Sequence, residues 1–380
     1  MNKIGICTLF TGYNFGSALQ CYASKRIIEK TGYEPVVYKL KGSLIEGRDV
    51  RVKKIVVLLL RSITHFKEAN RVRKSYQSSF NKTMSETSMN LFLEFYKNEI
   101  APNYVSYLQL KNIAKKNQYT AFICGSDQIW DPTDLYLDPF YYLEFAPYSK
   151  RIAFAPSLGK ELIPDYNKKQ FTKKLMGIRF LSSRENSGKM LIEKITNRLC
   201  EELIDPTLVL NKHEWIELLK LKKENTDRYI LAYFLDAPSE LAKTRVNSYA
   251  RKHDIPVYYI PYLNIEEENW ISQDCGPIQF LNLVLNAEVI FTDSFHGLAF
   301  SLNFEKDIYA FSRNYGASQN QSTRLLSILN SMDLLCRYDS ENEQEPINYK
   351  MITQKLNELR ENCYYYLNSC ITEVEKNNDK

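Results

Sequence analysis

Hydrophobic and polar positions alternate along the chain in a repeating strand–turn–helix rhythm. Residues 3–9 read as a buried strand, 11–16 as a turn, and Ser17 to about Lys30 as a helix with Leu19, Ala23, Ile27 and Ile28 on its apolar face. Gly32 stops that helix, and Glu34 to Tyr38 forms the next strand. The same alternation predicts helix over 105–115, strands over 119–124 and 151–155, and a long Asp-, Pro- and Tyr-rich loop over 125–150. Such a loop is functional or disordered, and its aromatic content argues against disorder. A second series follows: strand 180–183, helix 187–200, a turn at Asp205-Pro206-Thr207 leading into 208–210, strand 229–235, helix 239–253 and strand 255–260. It continues with helix 277–286, strand 288–292, helix 294–302 and strand 307–311, and closes with a terminal helix over 347–367.

Two consecutive Rossmann-like α/β series predict two Rossmann-like domains, with ligands beyond the carboxyl ends of the strands. The expected division is 1–175 and 176–335, followed by a helical segment and polar tail over 336–380 that returns to brace the first domain. Residues 41–100 break the rhythm and read as a charged helical insertion, with Phe92 to Tyr96 as its aromatic anchor.

Length agrees with two cores, since 380 residues exceed one ordinary domain. The net charge of +5 suits an anionic small ligand or surface without demanding nucleic acid, and no basic tail, finger spacing or stacking motif points to nucleic acid. Eight scattered cysteines without a CxxC pair, and a start that runs from Met1-Asn2-Lys3 straight into a strand, predict a reduced cytoplasmic protein. The longest aliphatic run, Ile55 to Leu60, is far short of the roughly 18 residues of a membrane span. Flanked by Arg48, Arg51, Lys53, Lys54 and Arg61, the segment 48–61 reads as a helix packed on its own domain or a partner subunit, or as a peripheral contact with the inner face of a membrane.

Candidate chemistry gathers at strand ends. The turn 11–17 is a tight βα connection or a place where an anion meets helix N–H groups, with Asn14 placed to hold substrate; it is neither a Walker A loop nor a GxGxxG fingerprint. In Gly125-Ser126-Asp127-Gln128-Ile129-Trp130, Asp127 accepts from a sugar hydroxyl, acts as a base, or braces the loop, while Trp130 stacks on a sugar or packs. Arg184 in Ser182-Ser183-Arg184-Glu185 offers a planar fork for carboxylate or phosphate, or an ion pair that holds the structure together. Lys160 and Arg179 are weaker anion candidates, and Asp205 reads first as a turn residue. His296, after the strand 288–292 and three residues past Asp293, is a catalytic proton donor or a packed histidine, and Gly297 permits close approach. His65, His213 and His253 lie in less promising surroundings. No structural-zinc spacing and no GxSxG elbow occurs, so neither a metal nor a cofactor is expected.

In order and spacing, the segments 11–17, 125–130, 153–159, 182–185, 205–206 and 292–297 together resemble the polysaccharide pyruvyl transferase family, over roughly residues 3–315. The resemblance implies a GT-B-like pair of Rossmann-type domains. It implies transfer of a pyruvyl group from phosphoenolpyruvate to two hydroxyls of a cell-surface polysaccharide or lipid-linked glycan precursor, forming a ketal and releasing phosphate. His296 and Asp127 would then be catalytic, with Asn14, Gly16, Ser17, Ser126, Trp130, Arg184, Asp293, Ser294 and Arg313 around the substrates. Many relatives carry an arginine two residues before the histidine; here that position is Ser294, which leaves Arg184, Arg313 and Arg324 as substitutes. A GT-B-type glycosyltransferase using a nucleotide sugar is the alternative enzyme, and a glycan-binding protein without catalysis is the other.

Overall fold

A computed structural model describes residues 2–42, 51–70, 84–223, 228–261, 269–313 and 323–378. The chain divides into two compact units: Met1–Gln77, Tyr96–Val209 and Leu359–Lys380 make unit 1, and Ser78–Phe95 with Leu210–Glu358 make unit 2. The two-domain α/β class expected from the alternation is what the chain forms, each unit built on its own five-stranded parallel sheet. The expected boundary at 175/176 instead falls inside unit 1.

Unit 1 comprises β1 (Lys3–Cys7), α1 (Phe15–Lys30), β2 (Glu34–Leu40) and α2 (Val52–Thr64). After α3 (Glu86–Phe95), which belongs to unit 2, it continues with β3 (Asn103–Val105), α4 (Tyr107–Ala114), β4 (Tyr119–Cys124), β5 (Arg151–Ala153) and α5 (Asp165–Met176). It closes with β6 (Ser182–Ser183), α6 (Asn186–Thr196), β7 (Glu201–Glu202) and the single turn α7 (Pro206–Val209). Its main sheet is parallel throughout, in the order β3-β2-β1-β4-β5. A parallel sheet covered on both faces needs continuous apolar strands. Accordingly every residue of β4 is buried, and Phe122 packs against Tyr119 (centroids 5.2 Å apart) and edge-on to Phe145 (5.2 Å).

The loop 125–150 supplies much of this core: Ile129, Trp130, Leu137, Phe140, Tyr142, Leu143 and Phe145 are all buried within it. The turn expected at Asp205-Pro206-Thr207 continues as a helical turn, α7. Asp205 accepts from both the amide (2.9 Å) and hydroxyl (2.7 Å) of Thr207, which starts the helix.

Unit 2 contains α8 (Lys212–Leu219), β8 (Ile230–Tyr233), α9 (Glu240–His253), β9 (Val257–Tyr259), β10 (Trp270–Ser272), α10 (Pro277–Asn286) and β11 (Val289–Thr292). It goes on through α11 (Phe295–Asn303), β12 (Asp307–Ala310) and α12 (Thr323–Ser331). Its sheet repeats the first topology, in the parallel order β10-β9-β8-β11-β12. Phe291 stacks on Tyr309 at 5.1 Å in its core.

The tail of the charged insertion is not a cap on unit 1. Its helix α3 joins unit 2, where Ser88 Oγ accepts from the Cys275 amide at 3.0 Å beside the start of α10. The terminal helix α13 (Tyr349–Asn378) is longer than its apolar pattern predicts. From Leu359 it belongs to unit 1, where the Tyr366 hydroxyl donates to Ala153 O at 2.9 Å and the Arg360 Nε to Leu208 O at 2.8 Å.

Candidate active site: two strand-end clusters

Each sheet reverses its strand order once, between β1 and β4 in unit 1 and between β8 and β11 in unit 2. Ligands of open α/β sheets bind outside the carboxyl ends of strands at such points. Nearly all the candidate residues lie at one or the other.

In unit 1 the turn after β1 and the turn after β4 are laced together by Gln20 of α1. Its amide nitrogen donates to Leu9 O (2.5 Å) and Thr8 Oγ1 (3.0 Å), and its amide oxygen accepts from Ser126 N (3.1 Å). Gly125 sits at φ +119°, and a Cβ there would lie 2.1 Å from Phe154 O, so only glycine lets the turn after β4 pass so close to β5. Asn14 is the N-cap of α1: its side chain accepts from Ser17 N at 3.0 Å. Gly16 and Ser17 follow, buried in the first helical turn, and the Ser17 hydroxyl donates to Asp127. The other Asp127 oxygen accepts from Gln128 N at 2.9 Å, so the carboxylate is held from both sides.

The remaining unit 1 segments complete one buried network. Asp205 accepts from the Ser126 hydroxyl (3.1 Å) and from Arg184, and both members of this ion pair are almost wholly buried. Burial opposes the Arg184 charge, but Asp205, Asp127 and Glu185 outweigh it and raise its pKa above the usual arginine range. Next to it, one oxygen of Glu185 accepts from Ser157 Oγ (3.0 Å), Leu158 N (2.7 Å) and Gly159 N (3.0 Å).

In unit 2 the Asp293 carboxylate accepts from Leu235 N (2.7 Å) and Asp236 N (3.0 Å), tying the turn after β8 to the turn after β11. Arg313, just beyond β12, donates through Nε to the Asp293 carbonyl (3.0 Å) and lies 3.2 Å from its carboxylate. Burial raises the Asp293 pKa, with Arg313 and the two amides pulling against it. Ser294 is the N-cap of α11 and accepts from Gly297 N at 3.3 Å. Gly297 is required: a Cβ would lie 2.5 Å from Thr292 Oγ1 on β11. His296 therefore stands in the first turn of a helix pressed against the strand it follows, edge-on to Phe295 at 5.2 Å, with the Arg324 guanidinium 5.9 Å from the Phe295 ring centre.

The model of the family described as polysaccharide pyruvyl transferase matches residues 14–315, which span both strand-end clusters. The chain belongs to that family. It is accordingly an enzyme that transfers a pyruvyl group to a polysaccharide or glycan. No curated protein matches the sequence. Among solved structures it is similar to an S. aureus MnaA–UDP co-structure (11% identity, TM-score 0.47, covering 97% of this chain and 91% of that one). It is also similar to the glycosyltransferase SnogD from Streptomyces nogalater (10%, 0.42, 97% and 99%) and to Acinetobacter baumannii MurG (9%, 0.43, 98% and 99%). At these scores they add nothing to the assignment.

In this pyruvyl transferase three candidates have positions that their sequence context does not reveal. Trp130 has no accessible ring face for a sugar: it is fully buried, stacked on Tyr142 at 5.7 Å, with its indole N–H donating to Tyr141 O at 3.1 Å. Arg184 is committed to Asp205 and ringed by three carboxylates, so an incoming anion would meet more negative charge than positive. Asp293 is committed to two backbone amides and Arg313 rather than to orienting His296.

Three further residues belong to the unit 1 cluster. Thr8 and Gln20 build the unit 1 turn pair, and Lys39 at the end of β2 donates to Thr11 Oγ1 at 3.0 Å, 5.1 Å from the Phe10 ring centre. A lysine inside the otherwise apolar run Val36–Leu40 was the available signal.

Proposed function

We propose that the donor is phosphoenolpyruvate, that the acceptor is a cell-surface polysaccharide precursor or lipid-linked glycan, and that unit 2 handles the donor. His296 carries the proposal: it is the one histidine in the first turn of a helix at a sheet's switch point, with Arg313 and Arg324 on neighbouring elements. The Ser294 hydroxyl is spent on capping α11, so the charge that relatives supply at this position comes here from Arg313 and Arg324, aided by the positive end of α11. In unit 1, Asp127 accepts a hydrogen bond from an acceptor hydroxyl, its orientation set by Ser17.

Protonated His296 delivers a proton to the methylene carbon of the donor, leaving the adjacent carbon electrophilic. One sugar hydroxyl adds to that carbon, forming a C–O bond, and its released proton restores the acid. The second hydroxyl forms the other C–O bond as the bond to the phosphate oxygen breaks, and its proton leaves with hydrogen phosphate. Arginine charge stabilises the departing anion.

Purified enzyme should release phosphate from phosphoenolpyruvate only when the glycan acceptor is present, and the product should gain the mass of a pyruvyl ketal. His296→Gln should keep the melting temperature and lose about 10²–10⁴-fold in turnover. Arg324→Gln should raise KM for the donor. Undiminished turnover in His296→Gln removes it from the reaction, and sugar transfer from a nucleotide sugar with no pyruvyl product removes the donor assignment.

A further inference from the structure

Helix α2 of unit 1 is turned inside out. Its polar side faces its own unit: Arg51 pairs with Asp138, Arg61 reaches Asn167 Oδ1 (2.5 Å) and Gln170 Oε1 (2.6 Å), and His65 lies 5.0 Å from the Tyr166 ring. Its apolar side faces outward, where Val52 is 77% exposed, Leu59 63%, Leu60 61% and Ile63 80%. With Ile55 and Val56 they form one stripe, spaced three and four residues apart as a helical face requires. A stripe of this kind exposes on the order of 600 Å² of apolar surface, the upper end of what an ordinary monomer leaves uncovered.

The charges on the helix segment itself have one sign. No acidic residue occurs between Val52 and Lys67, and Lys53 and Lys67 are exposed at its two ends. Lys53, Lys173 and Lys174 also line an adjoining pocket of about 530 Å³ with Val57 and Tyr136, where the carboxylate present, Glu144, is paired with Lys174 at 2.7 Å. An antiparallel pairing of two copies centred on Leu59 and Leu60 would set Lys53 of one copy against Lys67 of the other, so self-association is opposed by charge. An anionic bilayer satisfies both features: acyl chains cover the stripe, and lipid phosphates meet the lysines. With 13 residues α2 is too short to span a bilayer, so the contact lies in the interface plane.

We infer that α2 is a peripheral docking helix for an anionic phospholipid surface, which brings the enzyme to acceptors held at a membrane. The inference is independent of which donor the enzyme uses. Full-length enzyme should co-sediment with vesicles of phosphatidylcholine and phosphatidylglycerol at least tenfold more strongly than with phosphatidylcholine alone, and 0.5 M salt should reduce the difference. Leu59→Ser/Ile63→Ser should weaken binding at least tenfold, with the melting temperature and turnover on a soluble acceptor unchanged. Lys53→Gln/Lys67→Gln should weaken it several-fold and flatten the salt dependence. Failure to bind either vesicle, or a fall in melting temperature in Leu59→Ser/Ile63→Ser, overturns the inference. So does a dimer in light scattering that this double substitution abolishes, which would make the stripe a contact between copies.

Discussion

The pair Arg184–Asp205 separates a structural cation from a substrate-binding one. Both side chains are almost fully buried, and Asp205 also accepts from Ser126 and Thr207. Replacing Asp205 by Asn keeps the volume and removes the charge, leaving the guanidinium without its main counter-ion. Breaking a buried pair from one side costs about 3–5 kcal/mol. Asp127 and Glu185 still attract Arg184, so the lower end applies: about 3 kcal/mol.

For a unit of this size such a loss lowers the melting temperature by roughly 6–12 °C. Arg184→Met should cost a similar amount, because Asp205 then loses its cation. The double variant Arg184→Met/Asp205→Asn should be less destabilised than the two single effects combined, by about 2 kcal/mol. The assay is thermal melting of all four proteins, with hydrogen exchange on β1 and β4 peptides to read unit 1 directly. KM for phosphoenolpyruvate in Arg184→Met, measured well below its melting point, should stay near that of the parent. An unchanged melting temperature together with a tenfold or larger rise in that KM would refute the reasoning and return Arg184 to the donor.

Two other outcomes follow from the packing. Gly125→Ala places a methyl 2.1 Å from Phe154 O at a φ of +119°, and should cost at least about 3 kcal/mol or yield insoluble protein; a soluble variant with parental melting would show that the turn has another conformation. Lys306 is held at about 8, first by burial and then by Lys212 and Lys223. Below pH 8 it is charged in both states and the full cost of burying the charge applies. Between pH 8 and about 10.5 the folded protein has lost the proton while the unfolded chain keeps it, so stability rises with pH. Lys306→Met should therefore stabilise unit 2 by about 1–2 kcal/mol at pH 7 and by almost nothing at pH 10.5, read from denaturant melts at the two pH values.

Most of the strand and helix order, the parallel α/β class and the gathering of motifs at strand ends were legible in the alternation of apolar and polar residues; the short edge strands β3 and β10 and the helices α5 and α12 were not. That is because local periodicity and capping govern those features. The helix expected over 294–302 after the strand 288–292 is present as α11, with Ser294 as its N-cap. Partners were not legible. Arg184 has the same sequence context whether it meets phosphate or Asp205, and Trp130 the same whether its ring meets a sugar or Tyr142, because both outcomes depend on segments far along the chain. Nor does periodicity tell which way an amphipathic helix turns. The pattern of Val52 to Ile63 establishes an apolar stripe. Only the hydrogen bonds of Arg61 to α5, with the contacts of Arg51 and His65, turn that stripe away from the unit. Likewise the division of the chain at Val209 rather than near 175 depends on what β6, α6 and β7 pack against. A local pattern specifies how a segment folds; the long-range contacts that the rest of the chain makes available decide what it faces.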